Sequence, residues 1–469
     1  MAPPNSIKIL KISHIAPQPS DPHEPITEFS LPLTFLDTFC FKFPPVECLF
    51  FYSLKSSDPS LMACTLSKLK HSLSLTLKHF LPLAGNLTWP PNSPKPIILY
   101  KPGNAISLTV AESTADFHHF SSDHAREASE SRSLIPNLLT NDMSSLIMAL
   151  QITLFPNTGL CIGATFHHAV LDGKSSAMFM KSWAYVTKHN PPLLPELTPF
   201  YDRTAIKDPK GLDTLYLDRW LAKTSSDSGR SRLRRPFDHW SESEPPSDWV
   251  RSTFHLTGGE IEKLRTWVLN QWEKKNEPAN DFKTPTLRLS SFVLASAHVL
   301  TTMVRAAKGE VSRKVYFVVS ADYRRRLDPP LPENYFGNCA GCHLGYAGEA
   351  REVSEEGGAA IVAAKIGDLI KGLEKKGVLE GAEERLKRWG VLEPESQLIA
   401  VTWSPQLGIY GSDFGWGRPE KVEIASVRRK SISLMESRDG SGGFEVGLVL
   451  KKPEMDRFGS LFGTNFKAL

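Results

Sequence analysis

The densest group of residues able to do acid–base chemistry is the segment His167-His168-Ala169-Val170-Leu171-Asp172-Gly173. His168 continues an apolar row with Ala164 and Phe166, because alternate side chains of a strand share one face. Burial disfavours the imidazolium form, so we expect a neutral imidazole that accepts a proton at pH 7. That is the property a general base requires.

A histidine at a strand end is more often an ordinary core residue, so this segment alone does not establish a site. The same His-x-x-x-Asp spacing recurs at His119 and Asp123 in a polar stretch. A catalytic zinc needs a third ligand that is not evident, and Cys339 and Cys342 form a lone Cys-x-x-Cys. No Gly-x-Ser-x-Gly pentapeptide is present, which argues against a serine nucleophile. We therefore predict no metal and no covalent acyl-enzyme.

The elements that position the segment can be predicted from the spacing of apolar residues. Leucines at three- and four-residue steps predict an amphipathic helix over residues 64–80. Residues 146–168 read as two strands joined by turn formers, which predicts a hairpin. After Gly173 the apolar spacing becomes helical. His168 is thus expected at the junction of a strand, a turn and a helix.

The second half of the chain gives similar signals. The same reasoning predicts helices over 290–306, 357–377 and 380–389, a strand over 315–322, and a late hairpin formed by 431–436 and 444–450. Residues 201–240 lack sustained periodicity, so we predict a linker there. Its basic cluster is interpreted as a solvated loop without a site role; the cluster comprises Arg230, Arg232, Arg234 and Arg235.

Length and composition set the broad class. A chain of 469 residues suits two domains of about 200 residues each, which we place at 1–200 and 241–469. The formal charge of +4 is too small and dispersed to indicate a nucleic-acid surface, and no run of about 18 apolar residues predicts a membrane span. There is no signal-peptide pattern, and six sparse cysteines suggest free thiols. We expect a cytosolic monomer that binds small molecules.

The segment from His168 to Asp172, together with Asp413-Phe414-Gly415-Trp416-Gly417, resembles the two signatures of the plant BAHD acyltransferase family. Similar blocks occur at 31–37, 79–87 and 321–338. The resemblance implies an α/β fold of two chloramphenicol-acetyltransferase-like lobes, each a mixed β-sheet flanked by helices, with the active-site channel at their interface. It also implies that a segment of about 390–415 returns to the first lobe.

The form of these motifs is most similar to the branch that acylates anthocyanin, flavonoid and other phenolic glycosides. This implies acyl transfer, with malonyl as the expected group, from a CoA thioester to a hydroxyl of such a glycoside. CoA is then a co-substrate, and no cofactor is expected. Three alternatives remain open: an aromatic hydroxycinnamoyl-CoA donor, a non-catalytic ligand-binding relative, and a metal-dependent hydrolase.

The resemblance also assigns expected roles to individual residues. His168 is the catalytic base, and Asp172 is an anchor that pairs with an arginine, for which we nominate Arg324 with Arg326 as the alternative. The Asp413–Gly417 motif is expected to be structural, with Phe414, Gly415 and Trp416 inside it.

Five further residues are expected to meet the substrates. Lys174 is the nearest cation for a malonyl carboxylate or a CoA phosphate, although an exposed helix-start lysine explains it equally well. Ser290 and Ser291 can bind the donor or simply cap a helix. Asn338 and Trp403 are the possible donors to the oxyanion of the tetrahedral intermediate, or residues lining the pocket.

Overall fold

The computed structural model describes residues 7–19, 25–54, 59–141, 143–224, 233, 248–275, 287, 289–389, 392–428 and 431–467. The strands in these ranges are β1 Ile7–Ile15, β2 Phe29–Pro32, β3 Val46–Ser53, β4 Asn86–Thr88, β5 Ile97–Tyr100, β6 Ile106–Ser113, β7 Arg126–Glu127, β8 Ser144–Leu146, β9 Met148–Phe155, β10 Gly159–Phe166, β11 Trp249–Leu256, β12 Lys314–Asp322, β13 Ala340–Glu349, β14 Gln397–Thr402, β15 Lys421–Ile424, β16 Ser431–Glu436 and β17 Phe444–Lys451.

The α-helices are α1 Phe35–Phe39, α2 Pro59–His79, α3 Leu81–Ala84, α4 Phe117–Ser121, α5 Gly173–His189, α6 Leu212–Thr224, α7 Gly258–Lys275, α8 Ser291–Ala306, α9 Ala350–Ser354, α10 Gly358–Lys376, α11 Arg385–Trp389 and α12 Lys452–Lys467. Short 3₁₀ turns lie at Glu130–Leu134, Pro195–Leu197, Arg203–Ala205, Ala382–Glu384, Pro405–Leu407 and Ile409–Gly411. None of the helices in the described ranges combines the length and the apolar character that crossing a bilayer requires.

Two large sheets organise these elements into two lobes. The first sheet has the strand order β1-β6-β9-β10-β3-β15, and the second has the order β13-β12-β14-β16-β17-β11-β7. A small sheet, β2-β5-β4-β8, accompanies the first. Helices α2 and α5 pack together in the first lobe, while α8 packs against α10 and α12 in the second.

The two lobes exchange strands. Strand β7 comes from the N-terminal half of the chain but pairs with β11 at the edge of the second sheet. Strand β15 comes from the C-terminal half but pairs with β3 at the edge of the first. The boundary between the lobes is therefore crossed by backbone hydrogen bonds as well as by side chains.

Most elements predicted from periodicity are present. Strands β9 and β10 form the expected antiparallel hairpin, and β16 with β17 forms the late one. Helices α2, α8 and α10 and strand β12 also lie where they were expected. The predicted helix over 380–389 is shorter, because only the 3₁₀ turn at Ala382–Glu384 and the five-residue helix α11 form there.

The predicted linker 201–240 contains a helix that its sequence did not reveal. Leu212, Tyr216 and Trp220 recur at four-residue steps in α6 and are buried, but this helical pattern covers only thirteen residues of the predicted linker. The Trp220 indole donates to the carbonyl of Phe39 at 3.2 Å, which docks α6 under α1. The four arginines of the predicted basic cluster lie outside the described residues.

Within the segment of about 390–415, which was expected to return to the first lobe, residues 397–402 lie in the second sheet and the turns at 405–411 pack against α5 of the first lobe. Strand β14 lies within the second sheet, parallel to both β12 and β16. The chain leaves that sheet at Trp403, passes the first lobe along the turns at 405–411, and joins the first sheet only at β15.

Candidate active site

His168 lies just beyond β10, in the turn that leads into α5. Residues Phe166 and His168 follow the strand's alternation, whereas His167 turns into the protein and is buried. The backbone N–H of His167 donates to the carbonyl of Ile147 at 2.8 Å, and its Nδ1 accepts from the N–H of Ala169 at 3.2 Å. His167 thus stabilises the turn, and this leaves His168 as the histidine that ends the strand.

His168 is half-buried, whereas its neighbours His167 and Ala169 are fully buried. The ring of Phe43 meets that of His168 edge to face, with centroids 5.5 Å apart. Burial lowers the pKa of His168, against smaller opposing effects of its own backbone carbonyl, of Asp172 and of Asn338. The imidazole is therefore neutral at pH 7, as a proton acceptor must be.

The two ring nitrogens of His168 differ in their surroundings. Nδ1 is buried and makes no hydrogen bond of good geometry in the described part of the chain. The backbone carbonyl of His168 and the side chain of Asn338 nevertheless raise the pKa of the ring, in opposition to the larger effect of burial. A proton on Nδ1 leaves the lone pair on Nε2. The basic nitrogen is then on the ring edge farther from the buried side.

Asp172 serves as the N-cap of α5 rather than as a partner of the imidazole. Its Oδ1 accepts from the backbone N–H of Ser175 at 2.9 Å, and its Oδ2 accepts from that of Cys339 at 3.0 Å. Burial alone would raise the pKa of Asp172, but the charge and hydrogen bonds of Arg324 bring it below the ordinary value. The carboxylate is held ionised and turned toward the arginine.

Arg324 is the arginine that pairs with Asp172. Its guanidinium is fully buried and reaches both carboxylate oxygens, at 3.0 and 3.2 Å, and it also donates to the carbonyl of Tyr335 at 3.0 Å. The alternative, Arg326, donates instead to the carbonyl of Asp322 at 2.7 Å from an exposed position. The structure thus joins residues 167–172, which we call the catalytic turn because the predicted base lies in it, to the loop that follows β12.

Asn338 holds the backbone of the catalytic turn. Its Nδ2 donates to the carbonyl of His168 at 2.8 Å and to Oδ1 of Asp37 at 3.0 Å. Both N–H groups of the amide are therefore engaged inside the protein. This arrangement leaves Asn338 no free donor for an oxyanion.

Asp37 was missed by the sequence reasoning, although it lies in the block 31–37. A Thr-x-x-Asp spacing from Thr34 to Asp37 is the signature of a capping box, and the structure has that box at α1. An acidic residue inside the apolar run 31–43 is a second signal, because buried carboxylates are almost always paired. Phe43, which packs against the imidazole of His168, and Arg203, which pairs with Asp37, were missed as well.

Trp403 stands directly beside the catalytic turn. Its backbone is left-handed, with φ of 63°, which a tryptophan rarely adopts. A Cβ added to Gly173 would lie 3.7 Å from the six-membered ring of the indole and 3.3 Å from Leu407. The Trp403 indole N–H makes no hydrogen bond within the described ranges. Strain of this kind at a site is typical of residues placed for function.

Lys174 is engaged by two acidic residues of the second lobe. Its Nζ lies 3.1 Å from Oδ2 of Asp322 and also contacts Glu333, and both carboxylates are largely exposed. Ser290 and Ser291 begin α8, and Ser290 caps that helix by accepting from the N–H of Val293 at 3.2 Å. Helix α8 packs against its neighbours in the second lobe, so the described contacts do not bring these serines to His168.

The Asp413–Gly417 motif is attached to the opposite end of α5. Asp413 accepts from the N–H groups of Gly415 and Gly417, at 2.8 and 2.9 Å, and pairs with Lys188 at 2.7 Å. Both glycines have positive φ, 108° and 110°, which permits this tight turn.

The aromatic residues of the motif fill the core of the first lobe. Phe414 is fully buried, packs edge to face on Trp183 with centroids 4.9 Å apart, and stacks on Trp416. Seventeen residues of α5 separate the motif from the catalytic turn, a length of about 25 Å. The motif therefore lies about one helix length from His168 and supports α5.

The described residues offer no cluster of three or more His, Cys, Asp or Glu side chains suited to a metal ion. The two cysteines of the Cys-x-x-Cys pair have different surroundings. Cys339 is buried behind the Asp172 carboxylate, while the Cys342 thiol lies 3.7 Å from the hydroxyl of Ser320. All six cysteines are free thiols.

Comparison with known proteins gives a consistent result. A family model described as the Transferase family matches residues 10–463. Malonyl-CoA:anthocyanidin 5-O-glucoside-6''-O-malonyltransferase of Arabidopsis thaliana is 41% identical over 465 residues, covering 98% of each chain. Phenolic glucoside malonyltransferase 1 of the same organism is 40% identical over 459 residues, covering 96% of each. The crystal structure of vinorine synthase matches with a TM-score of 0.68 at 22% identity, covering 96% of both chains, and confirms the predicted two-lobed α/β fold.

Proposed function

The chain belongs to the Transferase family of BAHD acyl-CoA-dependent acyltransferases, and on this premise we propose that it transfers a malonyl group from malonyl-CoA to a hydroxyl of a phenolic glycoside. The acceptor class comes from the relatives, which act on anthocyanin and phenolic glucosides and share about two fifths of their residues with this chain. The observation that carries the reaction itself is the neutral, half-buried imidazole of His168 at the junction of the lobes.

The reaction begins when Nε2 of His168 accepts the proton of the acceptor hydroxyl. The oxygen forms a bond to the thioester carbonyl carbon, and the carbonyl becomes an oxyanion. The carbon–sulfur bond then breaks, and His168 returns the proton to the departing CoA sulfur, so the histidine ends as it began. Asp172 takes no part in proton transfer, because its oxygens are occupied by Arg324 and two backbone N–H groups.

Trp403 is the better of the two expected oxyanion donors. The two N–H groups of the Asn338 amide are taken by Asp37 and by the His168 carbonyl. The indole N–H of Trp403 is unused within the described ranges, and the ring lies against Gly173 at the start of α5. A preorganised donor beside the base is the usual source of transition-state stabilisation in acyl transfer.

Lys174 remains our proposed cation for the malonyl carboxylate. Its partners Asp322 and Glu333 are surface carboxylates, and a donor carboxylate can replace either one without leaving a charge buried. Ser290 and Ser291 stay a weaker proposal for donor binding, since helix capping accounts for Ser290. We further propose a cytosolic monomer, in keeping with the six free thiols.

The experiment that tests this function is a donor-by-acceptor panel. The purified protein is incubated with malonyl-, acetyl- or coumaroyl-CoA and with phenolic glucosides or their aglycones, and products are identified by mass spectrometry. We expect a mass increase of one malonyl group on glucosides, and its loss in His168→Ala. His119→Ala is the matched control, since it lies in the other His-x-x-x-Asp copy. Preference for coumaroyl-CoA would show that the donor is aromatic and not malonyl-CoA. CoA-ester binding without any product would indicate a non-catalytic relative.

A further inference from the structure

Asp37 is the most heavily coordinated carboxylate near the site, and neither the proposed mechanism nor the family motifs use it. It is fully buried in α1. It accepts hydrogen bonds from the N–H and hydroxyl of Thr34 at 2.9 and 3.0 Å, from Arg203 at 3.1 Å, and from the N–H and Nδ2 of Asn338 at 3.1 and 3.0 Å. A residue with five donors is held in one position.

The contact between Asp37 and Asn338 connects Asp37 to His168. Because Nδ2 faces two acceptors, Asp37 and the His168 carbonyl, the amide cannot rotate by half a turn without setting its oxygen against both. Asp37 thereby fixes which way the amide points. The amide in turn fixes the carbonyl of His168, a group that also favours the protonated form of the imidazole.

Asn338 Oδ1 is the remaining polar atom of this amide. It is buried and has no hydrogen-bond partner within the described residues, as is also true of Nδ1 of His168. The Asn338 side chain acts on the ring in the direction that favours protonation. The amide oriented by Asp37 thus keeps a buried, unpaired acceptor on a residue that binds the His168 carbonyl, while the imidazole has a buried, unpaired Nδ1; a proton on that nitrogen leaves the lone pair on Nε2.

We propose that Asp37 is a positioning residue for His168 and acts through Asn338 to hold the imidazole as the Nδ1–H tautomer. The inference rests on His168 being the base, as in the proposed function, and does not depend on the donor or the acceptor. It assigns α1, which belongs to neither family motif, a part in catalysis.

A double-mutant cycle on kcat tests the route. Asp37→Asn and Asn338→Ala are each expected to lower kcat by about 10- to 100-fold, because a slightly misplaced base loses rate to that extent, while KM for the acyl-CoA stays the same. The double variant is expected to be no slower than the slower single variant, since both changes cut the same connection. Thr38→Val, which removes a buried hydroxyl of the same helix that donates to the carbonyl of Phe35 and not to Asp37, is the control and keeps kcat.

A measurement without substrate separates this proposal from the proposed function. Histidine-selective ¹⁵N NMR, with His168→Ala to assign the signal, reports the tautomer of His168 directly. We expect Nδ1–H in the wild type and a mixture of tautomers in Asn338→Ala, whether or not the correct donor is known.

Three outcomes would overturn the proposal. One is unchanged kcat in Asn338→Ala, which decides the matter even when the Asp37 variants do not fold. The second is a multiplicative loss in the double variant, which shows that the two residues act independently. The third is a wild-type spectrum with the proton on Nε2. By contrast, failure of the proposed function would appear as wild-type protein that lacks turnover with every donor while the tautomer response persists.

Discussion

The guanidinium of Arg324 donates to both oxygens of the Asp172 carboxylate across the boundary between the two lobes. Asp172 follows β10 of the first sheet, and Arg324 follows β12 of the second. The pair therefore fixes the catalytic turn to the opposite lobe. Its burial is nearly complete on both sides, with side-chain exposures of 1% and 8%.

Removing one member of this pair should be costly. We expect Arg324→Ala to lower the free energy of unfolding by about 3–5 kcal/mol, because it leaves a buried carboxylate without its partner. Urea denaturation followed by fluorescence measures the change. Arg325→Ala is the control: its side chain is 81% exposed, so the expected change is within about 0.5 kcal/mol. Equal effects of the two variants would contradict the structural role of the pair.

His168→Ala is expected to keep the fold and to lower kcat by at least about 10²–10⁴-fold, the usual contribution of a positioned general base. The pH profile gives a second check. Burial lowers the pKa of His168 from its ordinary 6.5, and a general base acts when neutral. We therefore expect kcat/KM to stay constant as the pH is lowered through 6.5 and to fall only in more acidic solution. An acidic limb with an apparent pKa above 7 would rule out this histidine as the base.

Trp403→Phe keeps an aromatic ring against Gly173 but removes the indole N–H. We expect kcat to fall by about 10²–10³-fold, the cost of losing one oxyanion donor, with little change in KM for the acyl-CoA. Steady-state kinetics with the best donor and acceptor of the panel measure both. Trp267→Phe, on α7 of the second lobe, makes the same chemical change away from the site and should leave kcat unchanged.

Phe414→Ala tests the structural role of the second motif. Its ring is fully buried between Trp183, Trp416 and Tyr52, so truncation should cost about 3–5 kcal/mol of stability. The variant that remains folded at low temperature should turn over at nearly the wild-type rate, because the motif lies one helix length from His168. A large loss of kcat with unchanged thermal stability would place the motif in the chemistry.

Stability should weaken in acid through Glu423 on β15. Burial opposes its charge, but Arg126 and Arg251 lower its pKa from 4.5 to about 2. A carboxyl group with a lowered folded-state pKa contributes stability above pH 4.5 and loses that contribution as the pH falls toward 2. Urea midpoints measured between pH 6 and pH 3 should fall, and Glu423→Gln should flatten that slope while lowering stability at pH 7 by about 3–5 kcal/mol.

Local patterns predicted the elements around the site and the base itself. The hairpin of β9 and β10 and the helix after Gly173 follow from short-range spacing, and together they locate His168. Helix α6 was missed although Leu212, Tyr216 and Trp220 recur there at four-residue steps, because the pattern covers only thirteen residues of a stretch without sustained periodicity. The pairing of β15 with β3 was not predicted, because the order of strands in a sheet is a long-range property.

The partners of polar residues were the least predictable part. Asn338 looked like a free donor in the sequence, and only the fold shows that Asp37, some 300 positions earlier, occupies its amide. Lys174 looked available for a ligand, yet Asp322 and Glu333 meet it from the other lobe. Hydrogen-bond partners distant in sequence depend on tertiary packing, which periodicity does not report.

The exchange of β7 and β15 has a consequence for how the polypeptide is made. Strand β3 is apolar and buried along nearly its whole length, and one of its edges stays bare until β15 leaves the ribosome. The nascent N-terminal portion therefore carries an incomplete sheet with an unpaired, aggregation-prone edge through most of translation. Severing the chain between the lobes and expressing the pieces separately should yield two aggregating fragments, and co-expression should rescue solubility.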